Sequence, residues 1–224
     1  MSPLDPRRVK AICFDIDGTL SDSDDVLVQR LTPWMRPWAT LLRRDPARLA
    51  RQVVMAAETP LNDLYEVTDR LELDGFFFRL AHWWGQLWPH PPRRERLIPG
   101  VDTMLAALAS RYPLAVVSAR PREATERFLR QFGLQWYFGE CVASAETCPR
   151  TKPDPAPVRW AAACLGVEPE ACLMVGDTTV DIRAGRAAGA QTVGVLCGFG
   201  EAQELRQAGA DLILPSTADL VEWL

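Results

Sequence analysis

The apolar positions of this chain change period twice, and the changes divide it into three stretches. From Val9 to Phe14 an alternating and then continuous apolar run predicts a buried strand, with Asp17-Gly18 as the turn that leaves it. Asp22, Ser23, Asp24 and Asp25 then offer N-caps, and residues 22–97 carry helical spacing with almost no strand signal. Trp34 and Trp38 stand one turn apart, Leu49, Val53 and Val54 continue a stripe, and Phe76, Phe77, Leu80, Trp83, Trp84 and Leu87 form another. The exit, Trp88 to Gly100, is the most proline-rich segment and suits a semi-rigid linker.

After the linker, helix and strand alternate. Helices are expected at Val101–Arg111, Arg122–Phe132, Ala156–Leu165, Val180–Ala188 and Glu201–Ala208, the last four stopped by Gly133, Gly166, Gly189 and Gly209. Strands are expected at Leu114–Val117, weakly at Cys141–Val142, then at Ala171–Val175, Thr192–Val195 and Leu212–Leu214. Such alternation predicts right-handed βαβ units, hence an α/β fold with a doubly wound parallel sheet and a helical insertion after its first strand.

Composition narrows the function classes. The 224 residues are 48% hydrophobic and 24% charged with a net charge of −4, an ordinary globular balance that favours neither nucleic acid nor a strongly acidic surface. The first residues lack the apolar core of a signal peptide, and no run reaches ~18 apolar residues, so a cytoplasmic protein without a membrane partner is expected. The six cysteines show no CxxC spacing, and free thiols are expected in place of zinc or a disulfide framework. Of the 25 basic residues only Lys10 and Lys152 are lysine, which singles out each of them.

In a doubly wound sheet, ligands bind outside the carboxyl ends of the strands. Strand one delivers Asp15 and Asp17 there, followed by Gly18; the strand ending at Val117 delivers Ser118, Ala119 and Arg120. The strand ending at Val175 delivers Gly176 and Asp177, with Asp181 on the next helical turn, and the loop after Cys141 carries Lys152. Carboxylates crowded on one rim repel one another, and a hard divalent cation with oxygen ligands relieves the repulsion. A hydroxyl, an ammonium and the amides of tight turns suit phosphoryl oxygens. A carboxylate beside the metal can attack phosphorus, and a second one two residues on can move the protons. The rim therefore has the parts of a phosphoryl-transfer site.

These residues resemble the four motifs of the haloacid dehalogenase-like hydrolases: Asp15-Ile16-Asp17-Gly18-Thr19, Ser118 after a strand, Lys152-Pro153, and Gly176-Asp177-Thr178-Thr179-Val180-Asp181. The resemblance implies a Rossmann-like catalytic core of residues 1–21 and 98–224 and a helical cap of residues 22–97, as in phosphoglycolate phosphatase-type members. It also implies roles. Asp15 would be nucleophile and ligand of magnesium (Mg2+), Asp17 the acid/base that lends its backbone carbonyl to the metal, and Asp177 a further ligand. Ser118 and Lys152, with the amides around Ala119 and Gly18, would hold the phosphoryl group, while Asp181 would orient Lys152 or water on the metal. Members that cleave carbon–halogen or phosphonate bonds lack a carboxylate at the Asp17 position, so phosphate esters are favoured. The expected partner is a small phosphorylated substrate; a phosphomutase using the same site, and a non-catalytic phosphate-sensing protein, are the alternatives. Oligomeric state is not legible.

Each residue also has a plainer reading. Asp15 to Thr19 could be a strand and an Asp-Gly turn, but a calcium loop would put Cys13 at its first ligand position, inside a strand. Thr178 to Asp181 has the spacing of a capping box, Ser118 could cap the next helix, and Lys152 could be a solvated loop charge. Arg120 could add a phosphate or substrate contact, but in so arginine-rich a chain it is expected at the surface of a helix start, with Arg43, Arg44, Arg48 and Arg51 on a solvated helix face and the aromatic stripes of the insertion in a bundle core. His82 and His90 have no partner at metal spacing, and Trp136, Tyr137 and Phe138 fit either contact or packing.

Overall fold

The structure, a computed structural model, describes residues 4–22, 33–37, 39, 46 and 95–224. Its chain divides into two units, Met1–Asp22 with Glu95–Leu224, and Ser23–Arg94. In the second unit the described residues 33–37, 39 and 46 are helical. The other expectations for that stretch, from Trp38 and the apolar stripes to the arginine face, His82, His90 and the linker up to Arg94, lie outside the described residues.

In the first unit six strands form one parallel sheet: β1 (Ala11–Phe14), β2 (Leu114–Val117), β3 (Val142–Ala143), β4 (Cys172–Gly176), β5 (Gln191–Val195) and β6 (Leu212–Leu214). Their order is β3-β2-β1-β4-β5-β6. From β1 the chain builds outward to one side through β2 and β3, then to the other through β4, β5 and β6. The direction of winding therefore reverses between β1 and β4, where the connecting helices leave to opposite faces and open a crevice at the carboxyl ends.

Helices α1 (Val101–Ala109), α2 (Arg122–Gln131), α3 (Gln135–Phe138), α4 (Ala156–Cys164), α5 (Thr179–Ala188) and α6 (Ala202–Ala208) accompany the strands. Both sheet faces are buried, which is why β1, β2 and β4 read as continuous apolar runs. Successive strand residues still separate by face. Ile12, Phe14, Val116 and Val175 share a core with Leu105 and Leu108 of α1 and Phe128 of α2. Ala11, Cys13, Ala115, Val117 and Met174 face Val158, Ala161 and Ala162 of α4 and Ala184 and Ala188 of α5. Among the described residues no helix is long and apolar enough to cross a membrane.

The α/β expectation holds, with no end moved by more than two residues. Helix α3 was not expected, since four residues are too few to display a period; within it Phe138 is buried and Trp136 stands 84% exposed. The cysteine expectation needs correction: Cys141, just before β3, is disulfide-bonded to Cys164 at the end of α4. The fold brings Cα atoms 23 positions apart in the chain to 5.6 Å, within bridging range, and spacing alone carries no sign of that approach. Cys13, Cys148, Cys172 and Cys197 are free thiols.

Candidate active site

Residues after β1 and β4 meet at the reversal point. The Asp15 N–H donates to the carbonyl of Val175 (3.0 Å), so the nucleophile candidate is pinned by the sheet ladder itself. Lys152 reaches in from the loop before α4, and its Nζ donates to Asp15 Oδ1 (2.7 Å) and Asp181 Oδ1 (2.6 Å). Its side chain is only 6% exposed, so the surface reading of Lys152 is excluded.

Asp181 performs the capping role and more. Its Oδ2 accepts from the backbone N–H (3.0 Å) and the hydroxyl (2.6 Å) of Thr178 at the start of α5, leaving Oδ1 for Lys152. The approach requires glycine at 176, where any Cβ would overlap the Asp181 side chain. Asp177 is fully buried; Phe199 N–H donates to its Oδ2 (2.8 Å), and Thr19 Oγ1 lies 3.4 Å from its Oδ1. Phe199 sits between Gly198 and Gly200, and a Cβ at either would overlap Asp177. This loop after β5 was not anticipated, although it follows a strand end as the other site loops do.

Ser118 is buried after β2, and its Oγ accepts from Arg120 N–H (3.2 Å), a local turn bond that leaves the hydroxyl proton for another acceptor. Ala119 is exposed just beyond it. Gly18 adopts φ 72°, a left-handed turn, and its N–H donates to the Ser21 carbonyl (2.9 Å), so this amide is engaged within the turn.

The second carboxylate of the first motif has a separate cation. Arg120 grips Asp17 with both prongs of its guanidinium, Nε to Oδ2 (2.7 Å) and NH2 to Oδ1 (2.6 Å), while NH1 donates to Glu95 Oε1 (2.6 Å). The expectation of a surface arginine is therefore corrected: its side chain is 9% exposed and its guanidinium lies 5.2 Å from the Phe128 ring centre. Glu95 carried no sequence signal; Arg120 did, as the second residue after Ser118 on the site rim.

Burial and charge act on the two central groups in different ways. Burial is the largest influence on Asp15 and moves its carboxyl up to about 7; Lys152 pulls against that rise, and Asp181 and Asp17 add to it. Burial works against the Lys152 charge, but Asp15 and Asp181 outweigh it and raise the ammonium above its ordinary value. Oxygens of Asp15, Asp177 and Asp181 lie within 4.8 Å of one another, all in buried residues. Three buried carboxylates, two of them sharing one ammonium, fit a hard divalent cation, whose charge would oppose the upward push on Asp15.

Comparison with known proteins agrees with this geometry. A sequence model described as hydrolase, haloacid dehalogenase-like hydrolase, matches residues 9–189. A phosphoglycolate phosphatase of Nitrosococcus oceani is 29% identical over 231 residues, covering 96% of each chain. Pyrophosphatase PpaX of Anoxybacillus flavithermus is also 29% identical, covering 97% of each. The crystal structure of a predicted phosphoglycolate phosphatase from Haemophilus somnus superposes with a TM-score of 0.65 at 26% identity, covering 96% of this chain and 98% of that one.

Proposed function

The chain belongs to the haloacid dehalogenase-like hydrolases, and from that premise we propose that it is a magnesium-dependent phosphatase of small phosphorylated compounds, acting through an aspartyl-phosphate on Asp15. One observation carries the reading: Asp15 stands at the reversal point of the sheet, hydrogen-bonded to Lys152 and within metal-sharing distance of Asp177. Phosphatase and pyrophosphatase relatives that span nearly the whole chain support the substrate class.

In this proposal Asp15, Asp177 and the backbone carbonyl of Asp17 would hold the magnesium ion. Its chemistry is to neutralise phosphoryl oxygens and the carboxylates around them. Lys152 and the Ser118 hydroxyl hold phosphoryl oxygens, and Lys152 is itself fixed by Asp181. An Asp15 carboxylate oxygen attacks phosphorus as the bond to the leaving oxygen breaks, and Asp17 protonates that oxygen. Asp17 then takes a proton from water as it attacks the phosphorus of the aspartyl-phosphate, releasing phosphate and restoring Asp15. A cytoplasmic location belongs to the same proposal.

Phosphate release from a panel of small monoesters and pyrophosphate, with and without magnesium, tests the reading. The parent is expected to turn over at least one of them only with the metal, and Asp15→Asn to lose at least about 10⁴-fold in kcat. Substantial turnover by a folded Asp15→Asn protein would exclude the aspartyl-phosphate.

A further inference from the structure

We propose that Arg120 is the positioning residue for Asp17 and that Glu95 holds Arg120 in the geometry that does so. The inference rests on the reading of Asp17 as the acid/base. Asp17 follows a strand end on a turn, and its side chain is 35% exposed against 9% for Asp15, so the sheet that pins Asp15 does not pin Asp17. Arg120 supplies an external hold. Two parallel N–H···O bonds of 2.7 and 2.6 Å fix the plane of the carboxylate as well as its position, which one bond from an ammonium cannot do.

Arg120 is itself fixed from several directions. Its backbone N–H is bound to Ser118 Oγ, its carbonyl accepts from Ala145 N–H (3.0 Å), its guanidinium lies by the Phe128 ring, and its remaining nitrogen binds Glu95. Burial alone disfavours the guanidinium charge, and hydrogen bonding and charge from Asp17, then Glu95, offset it. Arg120 thereby connects the loop that carries Ser118 to the side chain that moves the proton.

A misplacement near 1 Å at a reacting group costs ~10²-fold in rate, and that is the loss expected for Arg120→Met. The loss should fall on kcat, with KM changed less than about threefold, because the fork acts on proton transfer and not on phosphate binding. In single-turnover phosphoryl transfer, an alkyl phosphate with a poor leaving group should lose far more than 4-nitrophenyl phosphate, which departs without a proton. Arg120→Lys, which keeps the charge and the stem, should recover part of the rate, and Glu95→Gln should lose only a few-fold.

The deciding measurement is the double variant Arg120→Met/Asp17→Asn, with each protein first shown to be folded by its melting transition. It is expected to be no slower than Asp17→Asn alone. If the two losses multiply, or if Arg120→Met and Arg120→Lys raise KM with kcat unchanged, Arg120 does not act through Asp17 and the inference falls. If Asp17→Asn alone matches the parent on poor leaving groups, the acid/base reading falls instead.

Discussion

Two cation–carboxylate clusters flank the same five-residue stretch, and they are built differently. Around Asp15, a lysine bridges two carboxylates, and all three side chains are less than 10% exposed. Around Asp17, an arginine bridges two carboxylates, one of which, Asp17, is 35% exposed. A compact ammonium with three donors can sit inside a crowd of oxygens and leave room for a phosphoryl group; a planar guanidinium occupies its partner edge-on and dictates orientation. At this site lysine stands where space is limiting and arginine where direction is, whereas Lys10, the other lysine, is exposed.

Exchanging the two cations breaks this comparison most sharply. Lys152→Arg should lose ~10³-fold in kcat/KM, because a guanidinium cannot fit between Asp15 and Asp181 at 2.6–2.7 Å without displacing substrate oxygens. Arg120→Lys should lose only about tenfold, and parallel kinetics on the two proteins will show whether the asymmetry holds.

A smaller effect is expected on the metal side of the Asp15 cluster. Gly198→Ala should push the loop off Asp177 and weaken magnesium binding by about 10–100-fold, measured by calorimetry on the parent and variant. Magnesium affinity unchanged by Gly198→Ala would mean that the loop does not support the ligand.

The pH dependence of stability sharpens the contrast further. The folded-state pKa of Asp15 is raised from 3.8 to about 7, chiefly by burial, so its contribution to stability is full below about 4 and is lost as pH rises through about 7. In EDTA, Asp15→Asn should therefore melt a few degrees above the parent at pH 8, with the gap closing by pH 5. Magnesium should raise the melting temperature of the parent and not of the variant. The smallest expected effect on catalysis lies away from both clusters: Cys141→Ser should leave kcat nearly unchanged while lowering stability by about 2–4 kcal/mol in denaturant melts under oxidising conditions.

Much of this molecule is local and therefore legible. Strand and helix periods mark the elements that the sheet and its helices adopt, and the rule that ligands gather at strand ends points to Asp15, Ser118 and Asp177. Thr178 to Asp181 shows where one-dimensional reading stops. The spacing supports a cap, the motif supports a functional acid, and the structure assigns one carboxylate oxygen to each. The loop at Gly198 and Gly200 carries no local signal, because only its folded position against Asp177 gives the glycines a purpose.

The order of elements, the doubly wound class and the chemical groups on the rim are legible in the chain alone, because each follows from side chains a few positions apart. Which cation serves Asp15 and which serves Asp17 is set by the folded chain. Lys152 is 137 positions from Asp15 and Arg120 is 103 from Asp17. At those separations partnership is set by the order of strands in the sheet and by the few ångströms between their ends, and no local period encodes either.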